Sequence, residues 1–349
     1  PKKITDRFSR SIGIDLGTAN TLVYVQGKGV LIVEPSVVAV NQKTGQVVAV
    51  GTQAKDMLGR TPSHITAVRP LVEGVVSDFE VTEEMLAYLI QKAHGLEKPF
   101  LGPLVVIGVP SGITNVEIRA VRDAARNAGA REVHIVEEPF AAAVGAKLPV
   151  HEPVGTMIVD IGGGTTDIAL ISLGGIVRSR NVRTAGDTFN QDIASYIRNE
   201  FKILVGEKTA EDVKIAVGSV IKQPVPLQTT IRGRDLVSGL PREIIITDAD
   251  VREAIASSVS TIIEAAKEVI ESAPPEIVSD VMRHGVYLTG GGALLRGIPE
   301  LCALELKVPI HVVDDPLTTV VRGTGFILED IEKYRAVLLD DDDHAAPLS

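Results

Sequence analysis

Ile12, Ile14 and Leu16 alternate with Gly13 and Asp15, and apolar runs follow at 22–25 and 30–33. The pattern predicts three short strands joined by tight turns. Further along, an apolar strand is expected at Leu104–Val109, a helix over 114–127, a strand at 134–136 and a helix of small residues over 140–146. A helix over 83–93 precedes them. The series then restarts. Residues 157–161 read as a strand with Asp160 near its end, and a glycine turn and strands at 168–173 and 176–182 follow. Helices are expected over 188–201 and 209–220, the second with Thr209 as N-cap and Asp212 at its third position. Two more strands, at 225–231 and 243–246, stand apart from this repeat.

The stretches IDLGT (14–18) and VDIGG (159–163) are thus one pattern written twice: a strand, an aspartate at its end, a glycine turn and a returning strand. Two halves built alike would set these turns facing each other across a cleft. Glycine lets backbone N–H groups approach an anion closely, and successive N–H groups form an anion nest. Thr18, Asn20, Thr165 and Thr166 add side-chain donors. Aspartates beside a phosphate repel it unless a cation intervenes, so Asp15 and Asp160 imply Mg²⁺, held largely through water. Either turn alone would pass for an ordinary hairpin; the duplication favours phosphate binding. A third cluster, VYLTGGGALLRG (286–297), reads as strand, glycine turn and helix start, where a flat base could lie against backbone or where strand and helix simply pack closely. There is no G-x-x-x-x-G-K-[ST] and no G-x-G-x-x-G opening a helix after a strand, so neither a P-loop nor an ordinary dinucleotide fold is indicated. Zinc-protease and nucleophile-elbow motifs are missing as well.

Composition narrows the classes. The chain of 349 residues is 45% hydrophobic, long enough for two or more globular domains. A net charge of −10 argues against nucleic-acid binding. Its single cysteine, Cys302, fits a reducing compartment, and no stretch approaches the roughly 18 apolar residues of a membrane span. These features predict a cytoplasmic protein. The ends differ from the body. Residues 1–10 form a basic arm (Lys2, Lys3, Arg7, Arg10), frayed or lying weakly on a membrane surface, and 337–349 form an acidic tail expected to be disordered.

The motifs DLGTANT (15–21), DIGGGTT (160–166) and LTGGG (288–292) are similar to the phosphate-1, phosphate-2 and adenosine motifs of the actin, sugar kinase and heat-shock chaperone superfamily. Within it the chain resembles the MreB family, the bacterial actins of cell-shape control. IGVPSGITNVE (107–117), EEPFAAAVG (137–145), GEKTAEDVK (206–214), SGLPREI (238–244) and LTGGGALLRG (288–297) carry the likeness, which runs from about 11 to 334. The resemblance implies an α/β actin-like ATPase fold: duplicated ribonuclease-H-like domains, each with a smaller inserted subdomain, and nucleotide in the interdomain cleft. On this chain the first body would take 11–33, 67–147 and about 315–336, with its insert at 34–66. The second would take 148–183 and 249–314, with its insert at 184–248.

The same resemblance assigns site residues. Gly17, Thr18, Ala19 and Asn20, and Gly162, Gly163, Gly164, Thr165 and Thr166, would bind the phosphates of ATP or ADP, with Mg²⁺ near Asp15 and Asp160. Glu207, Ala210, Glu211, Asp212, Val213 and Lys214 would flank the nucleoside, and Gly290, Gly291, Gly292, Ala293 and Leu294 the adenosine. Without the resemblance, Glu211 and Lys214 read as a solvated ion pair one turn apart. Glu138 matches the family's hydrolytic glutamate, with Thr165 helping to hold the water, while Glu137 is left with favouring the helix dipole. The expected function is slow ATP hydrolysis coupled to self-assembly in filaments, with paired protofilaments, peripheral to the inner face of the cell membrane, organising cell-wall synthesis. RodZ, MreC and MreD are the implied partners. A small-molecule kinase of the superfamily would want an aspartate base where Glu138 stands, and a chaperone ATPase would need a peptide-binding domain past 334. Phe100 and Leu101, between two prolines, read as a loop tip that either folds back on the preceding helix or, by the resemblance, enters the membrane.

Overall fold

The computed structural model describes residues 10–95 and 102–339. Phe100, Leu101, the basic residues at 2, 3 and 7 and the acidic run at 340–343 lie outside the described residues.

The repeated pattern builds two sheets of identical topology. In the first, Ile12–Leu16, Asn20–Val25 and Gly29–Pro35 form an antiparallel meander. Leu104–Val109 joins the first strand in parallel, and Glu132–Glu137 adds outside it. In the second sheet Thr156–Ile161, Thr166–Ser172 and Gly175–Val182 form the meander, with Val286–Thr289 and Ile310–Val312 added in parallel on the other side. The tight antiparallel returns are local. The parallel additions need crossovers, and the helices Phe79–His94 and Asn115–Asn127 supply them in the first half. Asp78 caps the former, accepting from the Val81 N–H at 3.1 Å, which starts it a turn earlier than apolar spacing alone suggested. Thr114 and Glu117 form a capping box on the latter. Two three-stranded sheets stand beside the main ones: Val47–Val50, Val38–Asn41 and Ile65–Val68 in the first half, and Ile203–Leu204, Gln228–Asp235 and Pro241–Thr247 in the second.

Each half has its own apolar core, and a third core joins them. This shared core holds Val106 and Val136 from the first sheet, Ile158 and Ala169 from the second, and the helix Glu138–Gly145 between them. That helix is rich in alanine and glycine because it crosses the helix Thr319–Glu329 backbone to backbone. A Cβ at Gly323 would lie 1.7 Å from the Ala141 carbonyl oxygen, and one at Gly145 would lie 1.9 Å from that of Thr319. No side chain larger than hydrogen fits either position.

Candidate functional site

The two glycine turns meet across a cavity of about 560 Å³. A Cβ at Gly163 would come within 2.6 Å of the Ala19 Cβ, and one at Gly164 within 2.6 Å of the Thr18 hydroxyl. The absence of side chains at these glycines is what lets the two halves close on each other. Ser36 pins the first turn, donating to the Gly17 carbonyl at 2.5 Å and, through its N–H, to the Ala19 carbonyl at 3.1 Å. The Thr18 hydroxyl accepts from the Gly74 N–H at 3.0 Å, which leaves its own proton free to donate. The second turn is tied to the start of the helix Gly186–Phe201: the Gly186 and Asp187 N–H groups donate to the Gly162 and Gly163 carbonyls at 3.1 and 2.8 Å.

Acidic groups form the floor. Asp15, Asp160 and Glu138 line the cavity. Asp167 lies buried just behind them, accepting from the Ser111 N–H at 2.8 Å and the Asn181 amide at 3.0 Å, with the Thr165 hydroxyl alongside. Burial pushes the Asp15 carboxyl up to about 7 and that of Asp167 up to about 6. Glu138 and Asp160 are raised well above the usual carboxylate range, first by burial and then by the neighbouring carboxylates. Among the described residues no lysine or arginine hydrogen-bonds any of these four acids. Glu137 precedes the same helix but does not cap it with its side chain. Burial raises it, against hydrogen bonding from Ser111 and the Gly112 N–H in the turn after Leu104–Val109, and it stands at the N-cap position of the helix, where the expected helix-dipole role remains open to it.

The third glycine cluster forms the far wall. Gly290 takes φ 79°, and a Cβ there would lie 2.3 Å from the Asp160 carboxylate and 2.4 Å from the Ile161 carbonyl. The chain continues through a 3₁₀ turn, Gly291–Leu294, before the helix Ile298–Leu306 begins. Gly290, Gly291, Gly292 and Leu294 line the cavity, while Ala293 is buried beneath.

The helix Glu207–Val217 contributes one face only. Glu211, Lys214, Ile215 and Gly218 reach the cavity, the i, i+3, i+4, i+7 set of a helix and its first following residue. Ala210 and Val213 turn into the core, and Glu207 and Asp212 lie off the cavity wall. Glu211 and Lys214 are not the solvated pair that spacing suggested: the Lys214 ammonium donates to the Gly186 carbonyl at 2.8 Å, and Glu211 meets Lys55 at 3.5 Å. The helix begins after Gly206, so Thr209 is not its N-cap; the buried stripe of Ala210, Val213 and Val217 draws the first turn forward. Thr166 also differs from expectation. It is buried, and its hydroxyl donates to the Thr184 carbonyl at 2.7 Å, away from the cavity. Among the lining residues missed by sequence reasoning are Gly74, Gly186, Asp187, Ile215, Gly218, Pro316 and Leu317, and Asp167 lies behind the lining.

An α/β chain with two topologically identical sheets and a cleft between paired glycine turns has the actin-like fold. Its family follows from comparison. Residues 9–336 match the model of the MreB/Mbl protein family, and the chain belongs to it. The Bacillus subtilis "Cell shape-determining protein Mbl" is 50% identical over 93% of this chain and 98% of its own length. The Escherichia coli "Cell shape-determining protein MreB" is 46% identical over 98% of this chain and 99% of its own. The crystal structure of MreB5 of Spiroplasma citri bound to AMPPNP superposes with a TM-score of 0.88 at 40% identity, covering 96% of this chain and 99% of that one. The same protein has a structure bound to ADP.

Proposed function

We propose that this chain binds ATP in the cleft, hydrolyses it slowly and assembles with copies of itself into membrane-associated filaments that organise cell-wall synthesis and maintain cell shape. One observation carries the reading: two glycine turns face each other across a single cavity over a floor of buried acids with no basic partner among the described residues. Nucleotide-bound MreB5, at 40% identity, supports the choice of ligand, and relatives named cell shape-determining proteins support the cellular role. Gly17–Asn20 and Gly162–Thr165 would hold the phosphates, and Glu211, Lys214 and Gly290–Leu294 the nucleoside.

The donor set fits magnesium. Burial and mutual repulsion push Asp15 and Asp160 toward the protonated form, and a cation relieves both. No three His, Cys, Asp or Glu side chains among the described residues form a direct ligand cluster, which suits an ion that keeps most of its waters. Such an ion would supply charge neutralisation on the phosphates. Glu138 lines the cavity with a raised proton affinity, suited to accepting a hydrogen bond from the attacking water, and Thr165, also in the lining, would be a second water ligand. Water orientation and electrostatic stabilisation are nearly all that phosphoryl transfer asks of a protein.

Filaments multiply any weak membrane contact without new chemistry, so Phe100, Leu101 and the basic arm need only marginal affinity each. RodZ, MreC and MreD are the membrane partners that family membership leads us to expect. The test is sedimentation and phosphate release with ATP, with and without Mg²⁺, followed by vesicle flotation. ATP-dependent pelleting, Mg²⁺-dependent phosphate release and flotation of the polymer are expected. A chain that binds ATP but neither pellets nor floats is a nucleotide switch of another kind.

A further inference from the structure

The hairpin of Leu71–Val72 and Val75–Val76 turns through two residues, both in the left-handed region: Glu73 at φ 51° and Gly74 at φ 76°. Two-residue hairpin turns of this hand favour Asn, Asp or Gly at the first position, because a larger side chain is strained there. Glu73 nonetheless occupies this position, and its carboxylate pairs at 3.1 Å with Arg183, which belongs to the other half. The neighbouring residues act in the same direction. Gly74 lines the cavity, packs against Pro110 and donates its N–H to the Thr18 hydroxyl. Arg69, just before the hairpin, pairs with Asp187 at 3.4 Å and with Glu207, at the starts of two helices of the other half. Lys55, on the neighbouring helix Thr52–Met57, pairs with Glu211 at 3.5 Å. Two of these acceptors, Asp187 and Glu211, are walls of the cavity itself.

We propose that residues 69–74 form a strap across the cleft mouth, and that its ion pairs, with Lys55–Glu211, set how fast nucleotide leaves. The inference rests on the nucleotide reading above. Each pair is partly exposed, so none is strong alone. All of them span the same gap, so an opening that releases nucleotide breaks them together. Pairing to cavity-wall acids makes the strap sensitive to what the cavity holds: a ligand that moves Asp187 or Glu211 moves its cation too. Exposed pairs are screened by salt, so nucleotide release should quicken with ionic strength.

The test is stopped-flow release of fluorescent N-methylanthraniloyl-ATP, chased with excess ATP, from full-length protein kept below its assembly concentration. Arg69→Ala should release about fivefold faster, since it loses two partners of ordinary exposed strength. Glu73→Ala should release faster by a smaller factor, and its salt dependence should flatten. The charge exchange Glu73→Arg with Arg183→Glu should return release to near the parental rate, which a folding defect would not do. Thermal melting of each variant checks that it is folded. Parental release rates in Arg69→Ala and Glu73→Ala, or failure of the exchange to rescue, would overturn the strap. A parent that binds no nucleotide overturns the proposed function itself, and is read directly as the absence of any fluorescence change on mixing.

Discussion

Asp15→Asn should make the ligand-free protein more stable at pH 8 while weakening its response to magnesium nucleotide. Asp15 ends the first strand at the cavity floor, and burial lifts its carboxyl from an ordinary 3.8 to about 7. At about 1.4 kcal/mol per pH unit, keeping it ionised in the folded state at pH 8 costs on the order of 4 kcal/mol. That is an upper figure, because the residue keeps a partly exposed edge and shares its charge with Asp160 and Glu138. The sign follows from the raised value. The stabilising contribution is complete below the unfolded value near 3.8 and is lost as pH rises through about 7. Asparagine never ionises, so its advantage over the parent should be largest at pH 8 and narrow below pH 7, with roughly a third of it left at pH 5. For a chain of 349 residues unfolding as one unit, 4 kcal/mol corresponds to roughly 5 °C in Tm. Scanning fluorimetry from pH 5 to 8.5, with EDTA and then with Mg²⁺ and ATP, reads both effects. With ligand the order should reverse, because only the parent presents a second carboxylate to the cation. A variant no more stable than the parent at pH 8, or an advantage that does not change with pH, would refute the claim that this carboxyl is buried against its preference.

Glu138→Gln should keep ATP affinity and lose at least about a hundredfold in phosphate release, the usual scale for a positioned acid–base group; Glu137→Gln should lose far less, and equal losses in the two would remove the distinction between them. Gly323→Ala drives a methyl into the Ala141 carbonyl, 1.7 Å from where its Cβ must stand, so denaturant unfolding should show a loss of about 3 kcal/mol or failure to fold; near-wild-type stability would show that the helix crossing is looser than it looks. Phe100→Ser with Leu101→Ser should leave ATP-dependent pelleting intact and reduce vesicle flotation; undiminished flotation would remove the loop as anchor.

Much of the site was legible because its signals are local. A strand, a carboxylate, a glycine turn and a returning strand lie within a dozen residues, and their repetition predicted two sheets of one topology. The errors have local physical causes too. Thr165 and Thr166 are adjacent at the start of a strand, so their side chains take opposite faces, and only Thr165 can line the cavity. The same alternation puts Asp167 on the Thr165 side, a signal present in the sequence and not used. Helical periodicity from Glu211 likewise picks out Lys214, Ile215 and Gly218 and rejects Ala210 and Val213. Arg69 was beyond reach: its partners lie 118 and 138 residues away in the chain, and nothing near Arg69 announces them. The small-residue helix at 138–145 was visible as composition, but its reason, a crossing at backbone contact, appears only when the helix Thr319–Glu329 is set against it.

The contacts between the halves are unequal, and the inequality has a direction. At the base, Phe140, Val136, Ile158 and Ala169 share one buried core; the helix Glu138–Gly145 packs there against the second sheet, and its glycine crossing with Thr319–Glu329 fixes it to the first. Burying a large apolar side chain is worth about 1.5–3 kcal/mol, so separating the base is a global unfolding event. At the mouth, Arg69, Glu73 and Lys55 hold through partly exposed ion pairs, each worth about 0–1 kcal/mol. An opening of a few kcal/mol therefore pivots on the base and parts the mouth, where the paired glycine turns lie in contact. This is why a methyl at Gly323 should register in stability and leave exchange to the mouth, while a lost charge at Arg69 should register in nucleotide release and leave stability nearly alone. A protein built the other way, with its strong contacts over the cavity, could exchange nucleotide only by coming apart.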